Sequence, residues 1–323
     1  MTEHSPTLND ILKAERLLRP HLWNTAARPS AALSERFGAE IYLKPENLQR
    51  MGSFKIRGAV NRVTELARRG ANSVITASAG NHGQGVAYAA SVTGLRATIV
   101  VPETASQAKI DALRGMGADL RLLGKSFDEA EDAAYRLAET DGTSVVSPYD
   151  AAVIAGQGTV GYEFLCEVPE LDLLLVPVSA GGLLSGILIA AKSMNPRITI
   201  IGVQTDAAPA MVAALQAGHI VNVRCTDSLA DGLSGNIARG QLPFSIIQRL
   251  VDDVLLVNES SIATAMRLYA ETERLIVEGA GAVGLAALLR GSVDVVGKRV
   301  GLVISGGNVS FETLRSVFRT EGT

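Results

Sequence analysis

Cysteine is scarce: Cys166 and Cys225 are the only two in 323 residues. They stand far apart and in no ligand spacing, which excludes a disulfide framework and a cysteine-built zinc site. They read as reduced thiols of a cytoplasmic protein. Uninterrupted apolar runs are also missing, since Gly, Pro or a charge breaks each one before it reaches the length of a membrane span. Charge of one sign is not in excess either. The formal net charge is −3, with acids and bases interspersed, so neither a nucleic-acid patch nor a polybasic membrane anchor is indicated. The first eighteen residues carry acids early and lack an apolar core, so they do not read as a secretory signal. They read as a helix entered through Thr7 or Asn9.

What the chain does have is length enough for two domains and an abundance of Ala, Gly, Val and Leu. Small residues let helices lie close on a sheet, the texture of an α/β protein. From residue 71 onward β-rich runs alternate with helical segments. Strands are expected at 73–78, 97–102, 119–124 and 144–149, with three helices between them, the last capped by Ser126. The pattern then recurs with strands at 171–179, 197–204, 251–259 and 299–307 and helices at 183–194, 208–217 and 260–273. The run "LDLLLVPVS" is the kind buried on both faces of a parallel sheet. Residues 219–248 read as irregular. The expected organisation is a small α/β unit, 71–149, inserted into a larger one built from 1–70 and 150–323.

Several glycine-rich turns could cradle an anion. "PVSAGGLLSG" (177–186) joins a strand to a helix and offers backbone N–H groups at the positive helix end. "SAGNHGQG" (78–85) follows another strand and carries Asn81 and His82, with no second histidine or cysteine at metal spacing and no G-x-S-x-G elbow for a nucleophilic serine. "ISGGN" (304–308) ends the last strand. The pattern G-x-G-x-x-G occurs at 156–161 and 279–284, but neither copy follows a strand with an acid about 20 residues on, so dinucleotide binding is not indicated. The "GKS" at 124–126 lacks the first P-loop glycine, Asp119 standing in its place.

One residue stands out. Lys55, in "ENLQRMGSFKIRGA" (46–59), lies at a helix start with glycines on both sides and no carboxylate within eight residues. By itself it is either an exposed lysine or an amine kept unpaired for chemistry. Taken with the three turns, in this order, the stretch resembles the pyridoxal-phosphate-dependent serine/threonine dehydratases and serine racemases, over nearly the whole chain from about residue 8 to 318.

The resemblance implies fold type II, the tryptophan-synthase-β-like arrangement of two parallel-sheet domains with pyridoxal 5'-phosphate in the cleft between them. It implies that Lys55 forms the Schiff base and removes the Cα proton. Phe54 would pack beside the ring, Asn81 would bond its phenolic oxygen and Ser305 its nitrogen. Ser179, Ala180, Gly181, Gly182 and Leu183 would hold the phosphate, and Gly232 and Glu278 would line the ring. The substrate carboxylate would meet Ser78, Ala79, Gly80, Asn81 and His82, with Ser53 nearby. The implied reaction is α,β-elimination of a β-hydroxy-α-amino acid, threonine and serine first, to a 2-oxo acid and ammonia.

Departures from the family pattern carry information. Ser179 and Ala180 replace two glycines of the usual phosphate loop, and Met51 replaces a threonine. Ala79 stands where racemases carry a serine as second acid/base, which points to elimination rather than racemisation. Gln204 and Ala210 stand where cation-binding relatives have carboxylates, so no metal is expected. "VEGAGAVGLAALL" (277–289) resembles dehydratases of hydroxyectoine utilisation, and hydroxyaspartate, phenylserine or an intermediate of that pathway are alternative substrates. A β-replacement enzyme ranks below these, because Asn81-His82-Gly83 stands where such enzymes carry N-T-G. No C-terminal regulatory domain is expected; a homodimer or homotetramer is.

Overall fold

A computed structural model describes residues 5–237 and 239–319 of the chain. Within them ten strands form two sheets: β1 (Arg28–Pro29), β2 (Glu40–Pro45), β3 (Ser73–Ala77), β4 (Arg96–Val101), β5 (Asp119–Leu122), β6 (Ser144–Val145), β7 (Leu173–Pro177), β8 (Thr199–Thr205), β9 (Asp253–Val257) and β10 (Arg299–Ile304). The larger sheet has the order β1-β2-β10-β7-β8-β9, and the smaller β5-β4-β3-β6. All pairings are parallel except β1 with β2. The class is therefore α/β with two parallel sheets, as the alternation of strand and helix patterns indicates.

Among the described residues thirteen α-helices surround the sheets: α1 (Leu8–Leu18), α2 (Ala31–Phe37), α3 (Lys55–Arg68), α4 (Asn81–Thr93), α5 (Gln107–Arg114), α6 (Phe127–Asp141), α7 (Ala151–Glu167), α8 (Gly182–Met194), α9 (Ala210–Ala217), α10 (Gln241–Leu250), α11 (Glu259–Leu268), α12 (Gly279–Leu289) and α13 (Phe311–Phe318). Thr7 caps α1 in a reciprocal capping box with Asp10. Ser126 caps α6 through the amide of Glu129. The helix expected over 260–273 is α11 followed by a π-turn, Tyr269–Glu273. The strand expected over 144–149 shrinks to Ser144–Val145, because Pro148 has no N–H for a ladder. Strands β1 and β2 and helices α2, α7, α10, α12 and α13 escaped the sequence reading, and α10 (Gln241–Leu250) occupies the end of the stretch expected to be irregular.

The chain crosses from the larger sheet to the smaller through α3 and returns through α7, and these two helices pack tightly. A Cβ on Gly156 would come within 2.7 Å of the Arg57 carbonyl oxygen, and one on Gly58 within 2.7 Å of the Val153 carbonyl oxygen. On the other side of α7, a Cβ on Gly158 would lie 2.8 Å from the Gly186 carbonyl oxygen of α8. The first G-x-G-x-x-G is thus a helix-packing stripe, and the second lies inside buried α12. Neither presents a loop to a ligand.

A buried ionic cluster locks α3 to its supports. Arg57, fully buried, donates to both oxygens of Glu46 at 2.8 Å and to Glu163 of α7 at 2.6 and 2.8 Å. Lys44 of β2, equally buried, lies 2.9 Å from the same Glu163 carboxylate. Burial works against the charge on Glu163, but the two cations overcome it and hold the carboxyl at about 2. Paired and hydrogen-bonded in this way, the charges are tolerated in the interior.

Candidate functional site

The ends of the helices and strands converge on one cavity of about 400 Å³ between the two sheets. It is lined by the start of α3, the turn before α4, the turn before α8, the segment 231–236, Glu278 and Ala280 at the start of α12, and Ser305 and Asn308 beyond β10.

Lys55 enters the cavity from the first residue of α3. Its Nζ stands 5.1 Å from the centroid of the Phe54 ring, and no carboxylate among the described residues pairs with it. Burial lowers the amine from its ordinary range to about 8, the charge of Glu278 offsetting part of the shift. Glu278 moves the opposite way. Burial pushes its carboxyl up to about 7, against the hydrogen bonds it accepts from Asn81 Nδ2 at 2.9 and 3.2 Å.

Two sets of free amides face this space. The turn between β7 and α8 places Gly181 at φ +88°, a left-handed conformation that glycine adopts without penalty. A Cβ there would also strike Ile247 at 2.7 Å. Among the described residues, the amides of Ser179, Ala180, Gly181, Gly182 and Leu183 donate to no protein acceptor. They stand at the positive end of a 13-residue helix, where an oxyanion is favoured. The turn before α4 repeats the device in the smaller unit. Gly80 is its N-cap with no side-chain cap bond, and the amides of Ala79, Asn81, His82 and Gly83 are likewise free among the described residues.

The remaining predicted positions fall as follows. Phe54 is buried against the core and forms one wall; Ser305 lines the cavity, and its carbonyl accepts from the Phe54 amide at 3.1 Å. Gly232 lies beside α12, with 3.3 Å between a Cβ placed there and the Ala280 Cβ. Ser78 Oγ accepts from the Gly80 amide. His82 is buried, its Nε2 lies 3.0 Å from the Val146 carbonyl oxygen, and burial first, then Lys55, lowers it to about 4, so it is neutral. Ser53 differs: it is buried beneath the site, bridged to Gly306 and not in the cavity wall. Among the described residues no cluster of three His, Cys, Asp or Glu side chains could hold a metal. Gln204 is buried and accepts from the Val212 amide, while Ala210 begins α9.

The sequence reading missed two features. Asn308 bonds Met51 and Asn81 together. Lys109 of α5 pairs with Asp231 at 2.8 Å at the cavity wall. Both bring together residues more than a hundred positions apart, for which a local pattern holds no signal.

An unpaired, depressed amine in one cavity with two anion seats is the donor set that a phosphorylated aldehyde needs. Comparison with known proteins points the same way. Residues 18–306 match the family model described as pyridoxal-phosphate dependent enzyme. The L-threonine ammonia-lyase of Thermotoga maritima is 47% identical over 308 residues, 94% of this chain and 76% of that one. The processed form of threonine deaminase isoform 2 from Solanum lycopersicum superposes with a TM-score of 0.89 at 34% identity, covering 100% of this chain and 97% of that one. Maize serine racemase superposes with a TM-score of 0.91 at 33% identity, covering 97% of each chain. No helix among the described residues is long and apolar enough to cross a membrane.

Proposed function

The chain belongs to the pyridoxal-phosphate dependent enzymes, and from that premise we propose that it is an ammonia-lyase converting L-threonine, and L-serine, to the 2-oxo acid and ammonia. The observation that carries the proposal is Lys55: an amine without an ion-pair partner, held near 8, opening into a cavity lined by two turns with free amides. An ordinary lysine would be fully charged at neutral pH and unable to act as nucleophile or base.

When bound, pyridoxal phosphate supplies an aldehyde carbon for amines and a ring that withdraws electrons from the substrate Cα. The residues do the rest. The amides of Ser179 to Leu183 suit the phosphate, and those before α4 suit the substrate carboxylate. Asn81 presents its Nδ2 to the cavity as a donor. Ser305, uncharged, lines the cavity and would hold the ring nitrogen without forcing a proton onto it. Lys55, neutral above about pH 8, takes the Cα proton. Loss of the Cα proton and of the β-hydroxide together removes one water, and hydrolysis of the resulting enamine, through its imine, returns a water and gives 2-oxobutanoate and ammonia from threonine. Ala79 has no group that moves a proton, so the opposite face of Cα is not served and racemisation is not supported.

The substrate assignment rests on a charge census. Among the described cavity residues the cationic side chains are Lys55 and Lys109, and Lys109 is already paired with Asp231. A second carboxylate, as in hydroxyaspartate, finds no free cation; the neutral side chain of threonine or serine needs none. The relatives' threonine-directed names support the same choice. A subunit assembly of two or four copies and a cytoplasmic location accompany this reading as parts of the proposal. The test is a panel of threonine, serine, hydroxyaspartate and phenylserine, read as 2-oxo acid formed by the holoenzyme. Threonine or serine should lead, and Lys55→Ala should abolish turnover; a lead by hydroxyaspartate overturns the substrate assignment.

A further inference from the structure

The loop that delivers Lys55 is held in an unusual shape. Met51 and Gly52 both have φ of +70°, and a non-glycine residue there costs energy that its surroundings must offset. The surroundings are the segment after β10. Gly307 N–H donates to the Gly52 carbonyl at 2.9 Å, Ser53 bridges Gly306, and Phe54 N–H donates to the Ser305 carbonyl. At the end of this zipper sits Asn308. Its side chain fills the space that a Cβ on residue 52 would need, which is why Gly52 is a glycine.

Asn308 Nδ2 donates to the Met51 carbonyl at 2.8 Å and to Asn81 Oδ1 at 2.8 Å. The donor direction has no freedom. A carbonyl oxygen only accepts, so the Asn308 atom facing Met51 is the NH2 group. That group also faces Asn81, so the Asn81 atom it meets is the oxygen. The other end of the Asn81 amide is therefore its NH2, aimed at Glu278, 2.9 Å from Oε1. An amide that could otherwise flip is locked from one end.

We infer that Asn308 is a positioning residue, which fixes the donor end of Asn81 toward the cavity and so toward the anionic phenolic oxygen of the cofactor. The inference rests on the reading of Asn81 and Lys55 given above. It explains why one side chain joins the lysine loop to the first turn of α4, although Asn308 itself need not touch the reacting atoms. Without it Glu278 alone holds the amide, and a protonated carboxyl there can meet either end of it, so the Asn81 oxygen could turn to the cavity, where it would face an oxygen anion.

Asn308→Asp is the sharpest test, because the shape is kept while the donor is lost. The holoenzyme's visible absorption, its titration with pH and the dissociation constant for pyridoxal phosphate are measured for wild type, Asn308→Asp, Asn308→Ala, Asn81→Ala and the Asn81→Ala/Asn308→Ala pair. Both Asn308 variants should shift the titration in the direction that Asn81→Ala does and weaken cofactor binding about tenfold, equal to about 1.4 kcal/mol. The double variant should bind no worse than Asn81→Ala alone, because Asn308 acts through Asn81. Superimposable titrations for Asn308→Ala and wild type, or additive losses in the double variant, overturn the relay and leave the functional reading intact. A wild-type protein that takes up no cofactor overturns both.

Discussion

Lys55 and Glu278 line the same cavity and are displaced toward each other on the pH scale, the amine down to about 8 and the carboxyl up to about 7. Burial is the larger cause in both, and each charge offsets part of the other's shift. The result is a site whose two central groups change protonation near neutrality rather than at the ends of the scale, as acid–base work requires.

The first consequence concerns cofactor uptake. Lys55 adds to an aldehyde only when neutral, so uptake of pyridoxal phosphate by the apoprotein should rise about tenfold per pH unit below about 8 and level above it. Stopped-flow absorbance from pH 6 upward measures this. A rate independent of pH across that range contradicts the depressed amine.

Stability of the apoprotein carries the same signature. The folded pKa lies below the unfolded value of 10.5, so between about 8 and 10.5 the unfolded chain binds the extra proton and stability rises with pH. Below about 8 the cost of the buried charge is fully present, about 3 kcal/mol. Lys55→Met should therefore stabilise the apoprotein below pH 8 and remove the rise above it, as read by urea unfolding.

Glu278→Gln separates the two charges. The folded carboxyl stays protonated up to about 7 and the unfolded one only to 4.5, so wild-type apoprotein stability should fall as pH rises through that window. The glutamine variant should lose this slope. It also removes the charge that holds the Lys55 amine up, so the midpoint of cofactor uptake should move below 8. An upward move contradicts the electrostatic influence of Glu278 on Lys55.

Much of this was legible in the sequence and some could not be. The apolar run at 171–179 marked β7, and a glycine turn after a strand located both amide seats, because backbone rules are local. Arg57, two residues from Lys55, gave no such sign: its partner Glu163 lies 106 positions away. Strand β2 was hidden for the same reason, since Lys44 is buried only because Glu163 answers it. Helices α7 and α12 were hidden by their glycines, which lower helix propensity but allow the close approach of α7 to α8. Asn308 stands in a turn motif where nothing local marks it, because its role depends on three segments meeting.

Gly52→Ala and Gly94→Ala distinguish local strain from packing. Both glycines have positive φ, +70° and +75°, but a Cβ on residue 94 meets nothing within 4 Å. Gly94→Ala should cost about 1 kcal/mol, the left-handed penalty alone. Gly52→Ala should cost more and also weaken cofactor binding, because it displaces Asn308. Equal effects in unfolding and binding assays contradict the packing argument.

The substrate assignment has its own lever in Asp231. Its carboxylate neutralises Lys109 at 2.8 Å, and both side chains are partly exposed at the cavity wall. An exposed pair contributes little to folding stability, so Asp231→Asn frees the ammonium without unfolding the segment around it. A freed cation favours a substrate with a second carboxylate, and it gives threonine nothing to bind. The kcat/KM for hydroxyaspartate relative to threonine should then rise about tenfold, the scale of one charge-assisted contact. Taking the ratio removes the change that Asp231→Asn also makes at Glu278, whose carboxyl Asp231 helps to push up, because both substrates meet the same altered residue. If the ratio stays at its wild-type value while Lys109→Ala lowers it, Lys109 already serves a carboxylate in the native enzyme, and threonine is the wrong substrate.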